Sequence, residues 1–216
     1  AGHFIAHSYK FDETTSTFIV ECDESTWQGA GFDKKSGAET CEYLRRVFED
    51  DLDGRRLLTN NFVRWVNFPL VRNRRWLHEN VVLLGDALHT AHFSIGSGTK
   101  LALEDSIALA KCFAEQPDAP NALLEFERTR RPVVEALQDA AFSSLLTLEN
   151  IAEFWSLDPL PFAYKLMTRS GRVTHEKLKK RDPEFARAYE EWLRRNEEGP
   201  QSSTRNGRDP RSNVAP

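Results

Sequence analysis

Hydrophobic and polar positions alternate at the start of the chain. Residues 4–11 (FIAHSYKF) and 16–22 (STFIVEC) read as strands, with Asp12-Glu13-Thr14-Thr15 as a turn between them. β-branched and aromatic residues flanking a polar turn predict a hairpin, here with a loop longer than the two-residue type. Residues 23–27 open a short helix or loop. Leu44, Val47, Phe48 and Leu52 recur at helical spacing and predict a helix over 38–54, with Thr40 as its cap and Asp53-Gly54 as its end. Residues 62–68 alternate again and read as a strand stopped by Pro69. Residues 76–80 read as a turn. Val81-Val82-Leu83-Leu84 is wholly apolar and closed by Gly85, the pattern of a strand buried on both faces.

The period then changes. Leu101, Leu103, Ile107, Leu109 and Ala110, with charged residues between them, predict a helix over 99–113. Pro117 and Pro120 interrupt it, and Asn121 caps a further helix to about residue 130. Pro132 predicts a kink or a new start. Residues 133–155, 160–170 and 174–196 continue in helical pattern, with Asp182-Pro183 beginning the last helix. Residues 197–216 carry no aromatics and much Ser, Asn, Gly and Pro, which reads as a disordered tail or linker. The expected class is mixed α/β (α+β): a β-sheet region over 1–75, a largely helical region over 76–196 and the tail over 197–216.

Composition narrows the function classes. Of 216 residues, 40% are hydrophobic and 29% charged, the balance of a globular protein. Mean hydropathy is −0.55, and no apolar run approaches the roughly 18 residues of a membrane helix. A net charge of −4 and a pI near 5.9 argue against nucleic acid as a partner, since duplex binding calls for a basic patch. Cys22, Cys41 and Cys112 lie far apart without a CxxC pair, which fits a reducing, cytoplasmic compartment and neither a disulfide frame nor a zinc ribbon. The first ten residues lack the layout of a secretory signal. The chain begins with Ala1 rather than Met and runs at once into strand-like sequence.

The chemistry concentrates in residues 81–105, which read as strand, turn, glycine-rich loop and helix. Gly85 lets the chain leave the strand tightly, and Asp86 places a carboxylate where it can accept hydrogen bonds from sugar or ribityl hydroxyls. Gly96 and Gly98 have no Cβ, so a ligand can approach the backbone closely. The helix that follows points free N–H groups and its positive end at the loop, which favours an anion or an electron-rich ring edge. A glycine-rich turn before a helix is by itself usually only a turn. The order Gly98-Thr99-Lys100 is not that of a P-loop. His89 and His92 are three apart but lack the further ligands of a metal set, so no metal is expected.

In combination these residues resemble the second flavin-binding motif of the class A FAD-dependent aromatic monooxygenases. That pattern is Gly-Asp-Ala-x-His, then Pro, Gly-x-Gly-x-Asn and Asp. Gly85, Asp86, Ala87, His89, Gly96, Gly98 and Asp105 match it at the family spacing. The family's Tyr-Glu-x-x-Arg-x-Pro returns as Phe126-Glu127-Arg128-Thr129-Arg130-Arg131-Pro132, and Arg75-Trp76 before the apolar strand also suits the family. Phe93 stands in place of the family's Pro and Lys100 in place of its Asn. The run from His92 to Asp105, with the hairpin around residues 16–23 and Trp27, is similar to the branch that hydroxylates aromatic acyl-CoA thioesters such as salicylyl-CoA or anthraniloyl-CoA. A branch acting on indole or tryptophan-type substrates shares His-Phe-Ser-Ile-Gly. The resemblance covers roughly residues 3–190.

The resemblance implies the C-terminal part of a two-domain FAD/NAD(P)-binding hydroxylase fold, with 1–75 on the substrate side and 76–196 in the FAD-binding domain. It implies FAD as cofactor, NAD(P)H and O2 as co-substrates and an aromatic small molecule, such as a CoA thioester, as substrate. Gly85, Asp86, Gly96, Ser97, Gly98, Thr99 and Lys100 would bind FAD, with Asp86 on its ribityl or ribose part. His92 and Phe93 would line the substrate side, and Arg72, Arg74 and Arg75 could meet CoA phosphates. The family's first fingerprint, Gly-x-Gly-x-x-Gly, does not occur here. The expectation is therefore that an N-terminal half of the same enzyme is missing and that the chain alone is inactive. A homodimer is a further expected partner arrangement. Two other classes are open at this point: a non-catalytic interaction module, and a metal hydrolase built on His89, His92 and Asp86.

Overall fold

The computed structural model describes residues 2–58 and 64–198. Strands β1 (Ile5–Lys10) and β2 (Ser16–Glu21) pair antiparallel, with Ile5 opposite Glu21 and His7 opposite Ile19. The turn is built by Asp12, whose Oδ1 accepts the backbone N–H groups of Thr14 and Thr15, both at 2.7 Å. This is the hairpin that the alternation predicts. Helix α1 (Glu24–Gly29) follows, capped by Asp23.

The helix expected over 38–54 is two helices, α2 (Gly37–Val47) and α3 (Glu49–Leu52). Its cap is Ser36 rather than Thr40. Ser36 and Glu39 form a reciprocal capping box, with the Glu39 carboxylate accepting the Ser36 N–H at 2.8 Å. Thr40 is buried inside α2. A first core joins Ala30, Phe32 and Leu44 to Phe4, Val20, Trp27, Tyr43 and Trp65.

The strand expected over 62–68 is not formed in its described part. Phe62 and Val63 lie outside the described residues, and residues 64–68 run without a ladder partner, Val66 standing 72% exposed. The apolar run 81–84 is likewise not a strand buried on both faces. Only Val81–Val82 (β4) form a ladder, pairing antiparallel with β3 (Leu77–His78), and Val81 is 56% exposed. Part of the turn expected over 76–80 is thus strand, with the reversal at Glu79-Asn80.

Helices α4 (Gly98–Glu115) and α5 (Ala119–Glu149) pack on each other. α5 is capped by Asp118, whose Oδ1 accepts the Asn121 N–H at 2.9 Å, so Asn121 lies inside the first turn. Pro120 sits in that first turn, where its missing N–H costs nothing. Pro132 starts no new helix: α5 runs through it. One lost backbone bond is small against a buried stripe that includes Phe126, Val134, Ala141 and Leu148. Phe126 and Val134 help build a second core with Trp76, Leu88 and Leu101. Phe126 is fully buried there, worth about 1.5–3 kcal/mol of transfer free energy.

The chain divides into two compact units, residues 1–155 and 156–216. The second holds α6 (Pro159–Thr168), α7 (His175–Arg181) and α8 (Pro183–Glu198). Pro161, Leu178 and Ala186 are buried in it, and the rings of Tyr164 and Tyr189 stack 3.5 Å apart. Residues 174–196 are therefore two helices, divided at Asp182. Helix α8 reaches two residues into the expected tail, and residues 199–216 lie outside the described residues. The whole is mixed helix with two small sheets.

Candidate flavin site

The loop entering α4 has the features expected of a cofactor cradle. Gly85 turns the chain at φ 59° into a single 3-10 turn, Gly85–Ala87, and its carbonyl accepts the N–H groups of Leu88 and His89 at 2.9 and 3.0 Å. Asp86 is exposed on that turn, and among the described residues its carboxylate takes no hydrogen bond or ion pair. A second 3-10 turn, Phe93–Ile95, ends at Gly96, whose φ of 59° is the left-handed region that favours glycine. A Cβ built on Gly96 or Gly98 meets nothing within 4 Å, so the space above both residues is open.

Ser97 precedes α4 but does not cap it, because its hydroxyl donates to the Ile95 carbonyl at 3.0 Å. The first helical bond is Leu101 N–H to Ser97 O at 2.9 Å. Among the described residues the N–H groups of Gly98, Thr99 and Lys100 therefore have no acceptor. Thr99 and Lys100 are exposed, and the Lys100 ammonium pairs with Glu104 one turn on. A helix start with three free N–H groups, open space over two glycines and an unpartnered carboxylate on the neighbouring turn fits a group with an electron-rich edge and hydroxyls. FAD has both.

Behind the loop, the two sequence motifs meet. Asp105 on α4 is wholly buried. Its Oδ2 lies 2.5 Å from His89 Nε2, and its Oδ1 accepts from Arg130 Nε at 2.8 Å. His89 is thus committed to Asp105, while Asp86 faces solvent. Among the described residues no group of three or more His, Cys, Asp or Glu could hold a metal ion, so the metal-hydrolase constellation is not assembled. Arg131 lies over the Trp76 ring at 5.0 Å and donates to the Arg74 carbonyl at 3.0 Å. Buried Gln138 donates to the carbonyls of Val71 and Thr90, each at 2.8 Å. All three arginines of the run are exposed; Arg72 is engaged with Gln138 and Asp139 at 3.1 and 2.7 Å, whereas Arg74 and Arg75 form no ion pair among the described residues.

His92 and Phe93 face a different neighbourhood. Phe68 makes edge contacts with both rings, at centroid distances of 5.6 and 5.9 Å. His92 also lines a small open pocket with Leu70, Gln138 and Phe142. It is buried, and burial pushes its imidazole below the usual range, although Glu21 acts in the opposite sense. Sequence reasoning did not single out His7, Glu21 or Gln138. The hairpin alternation held a signal for the first two, since it puts them on one face; Gln138 had only the weak signal of a polar residue in an apolar helical stripe.

Residues 50–141 match the FAD binding domain family. Together with its relatives, this match makes the chain similar to FAD-dependent aromatic monooxygenases. It is 43% identical over 211 residues to a salicyloyl-CoA 5-hydroxylase of a Streptomyces species, covering 92% of this chain and 40% of that one. It is 44% identical over 137 residues to the 3-hydroxy-4-methyl-anthranilyl-[aryl-carrier protein] 5-monooxygenase of Streptosporangium sibiricum, covering 63% and 35%. It is 36% identical over 166 residues to the protodeoxyviolaceinate monooxygenase of Chromobacterium violaceum, covering 77% and 44%. The chain thus spans less than half the length of these relatives. Among the described residues no helix is long and apolar enough to cross a membrane.

Proposed function

We propose that this chain serves an FAD-dependent monooxygenase that hydroxylates an aromatic ring with NAD(P)H and O2, and that the ring is carried as a thioester. The observation that carries the reading is the uncapped start of α4, with open glycines at 96 and 98 and the free carboxylate of Asp86 beside it. Two of the relatives named above act on an aryl group held by CoA or by an aryl-carrier protein, and both attachments are thioesters.

Asp86 would hold FAD through its sugar or ribityl hydroxyls. Gly85, Gly96, Ser97 and Lys100 would shape the cradle, and the N–H groups of Gly98 and Thr99 would face the electron-rich edge of the ring system. The chemistry supplied by bound FAD is transfer of one oxygen atom from O2 to an electron-rich ring, with NAD(P)H as reductant. The protein's part is to exclude water and orient the ring. His92 and Phe93, with Phe68 against them, would supply an aromatic wall for that purpose. In this reading residues 1–75 form the substrate side and 76–196 belong to the FAD-binding domain of a two-domain hydroxylase. The remainder of that domain comes from sequence beyond these 216 residues, and the setting is cytoplasmic. The exposed Arg74 and Arg75 are available to a CoA phosphate.

The test is spectroscopic. The holoenzyme is expected to show the flavin absorption band and to oxidise NAD(P)H in response to salicyloyl-CoA. Absence of the band together with no uptake of added FAD would overturn the reading.

A further inference from the structure

Residues 68–75 form a strap from the open pocket to the flavin turn, outside the named helices and strands. The inner edge of the strap is fixed to residues 87–90. The Thr90 hydroxyl donates to the Pro69 carbonyl at 2.6 Å and accepts the Val71 N–H at 2.8 Å, and the Thr90 N–H donates to the Val71 carbonyl at 3.1 Å. Arg72 bridges antiparallel to His89, and the Asn73 amide donates to the Ala87 and Leu88 carbonyls at 2.8 and 2.7 Å. The contacts advance along the strap as they retreat from Thr90 to Ala87, the pattern of an antiparallel pair.

The outer edge is open. Alternate residues of an extended chain turn their backbone groups to opposite edges. Val71 directs both of its groups at Thr90, so Leu70 and Arg72 present theirs on the other side. Among the described residues no backbone group pairs with them there. Such an edge offers donors and acceptors to any extended ligand that carries amides.

The side chains add an order along the strap. Phe68, Leu70, Arg72 and Arg74 recur at every second position and are all exposed, with half-buried Val71 and Asn73 between them. Phe68 and Leu70 line the pocket that also holds His92 and Phe142. Arg72 is neutralised by Asp139 at 2.7 Å. Arg74 and Arg75 form no ion pair among the described residues. From one end to the other the strap is apolar, then polar and neutral, then cationic.

We propose that this strap is the track for the phosphopantetheine arm of a coenzyme A thioester, with the acyl ring at the Phe68 end and the phosphates at Arg74 and Arg75. The arm has the same order: a thioester, an uncharged stretch with two amides, then phosphate. The lengths agree. Leu70 to Arg74 spans about 13 Å at about 3.3 Å per residue. The arm has about 13 bonds from sulfur to phosphorus, which reach about 15 Å at the extension of a peptide backbone. The two amides of the arm meet the open N–H and C=O groups of Leu70 and Arg72, and the arginines hold the phosphates as charge-assisted donors. The proposal rests on the hydroxylase reading above and adds which residues read the carrier of the ring.

The test compares two ligands on the FAD-loaded full-length enzyme without NAD(P)H, by titration calorimetry. Salicyloyl-CoA carries the arm and the phosphates; S-salicyloyl-pantetheine carries the same arm and no phosphate. Wild type is expected to bind the CoA ester more tightly, with the gap closing as salt is raised. Replacing both arginines, Arg74→Gln with Arg75→Gln, is expected to weaken the CoA ester roughly tenfold and leave the pantetheine ester unmoved. Leu70→Asp is expected to weaken both esters. The track is overturned if wild type binds neither ester or both equally. It is also overturned if the double arginine variant leaves the CoA ester unmoved or weakens both esters alike, or if Leu70→Asp changes neither. All of these outcomes leave the hydroxylase reading intact. A wild-type enzyme that takes up no FAD overturns that reading, and the track falls with it.

Discussion

His89 Nε2 and Asp105 Oδ2 lie 2.5 Å apart, with both side chains sealed from solvent. Arg130 reaches the other oxygen of the same carboxylate from α5. One aspartate on α4 therefore ties the Gly-Asp-Ala-x-His turn to the downstream Glu-x-x-Arg-x-Pro segment. The two motifs lie far apart in sequence and share one buried contact. The shared contact ties the turn that carries Asp86 to helices α4 and α5.

The consequence for stability is direct. Replacing Asp105 with Ala removes the buried carboxylate that His89 and Arg130 share and leaves the half-buried Arg130 guanidinium only its longer contact to Glu104 at 3.4 Å, so the cost is about 3 kcal/mol, the lower end for breaking a buried pair from one side. Denaturant unfolding of Asp105→Ala is expected to show a loss of that size. Replacing His89 and Asp105 together is expected to cost less than the sum of the two single changes, because they share one interaction. Strict additivity would mean that the contact contributes nothing.

Asp86 is expected to behave in the opposite way. It is exposed and unpartnered among the described residues, so Asp86→Ala should leave the unfolding transition within about 0.5 kcal/mol of wild type. FAD affinity, measured by titration of the apo-enzyme, should fall by about 1–3 kcal/mol through loss of a hydrogen-bond acceptor for the ligand. Unchanged affinity would remove Asp86 from the site.

Much of this arrangement was legible in the sequence, though unevenly. The hairpin, α4, α5 and the loop between Gly85 and Lys100 follow from alternation, helical spacing and glycine placement, all local signals. The errors have one physical source. Residues 64–68 and 81–84 carry strand-like composition, but a strand needs a neighbour, and neighbours are not written locally. The same holds for the site. Gly96 and Asp86 announce themselves by type and position, whereas the contacts of Gln138, His7 and Glu21 are with partners brought near only by the fold. The helix caps at Ser36 and Asp118 were in plain view. Each lay a few residues before the position expected, since hydrophobic spacing marks a helix's buried face better than its end.

The cap of α1 gives an expectation for pH. Burial tends to raise the Asp23 carboxyl, but hydrogen bonds from the Ser25 and Thr26 hydroxyls and from the Thr26 and Ser25 N–H groups outweigh it and hold the group at about 2, below its ordinary 3.8. A folded value below the unfolded one means the stabilisation is complete above about pH 4 and is lost as pH falls towards 2. Asp23→Ala should cost about 1 kcal/mol at neutral pH as a lost N-cap. It should also flatten the acid slope of stability between pH 4 and 2. A variant whose acid slope matches wild type would show that other carboxylates account for it.

Gly96 and Gly98 separate backbone strain from ligand approach. Both have open space where a Cβ would sit, but only Gly96 has a positive φ. Gly96→Ala therefore meets the left-handed penalty and should cost about 1–2 kcal/mol of stability with or without ligand. Gly98 is the first residue of α4 in ordinary backbone geometry, so Gly98→Ala should leave stability unchanged or raise it by about 0.4–1 kcal/mol through the unfolded chain. If a flavin ring lies against the free N–H groups at this helix start, the added methyl occupies the space that the ring needs, and FAD affinity should fall in a protein that is no less stable. Thermal unfolding and FAD titration on the same two variants decide the matter: a Gly98→Ala protein that binds FAD as wild type does would place the ring elsewhere than over the start of α4.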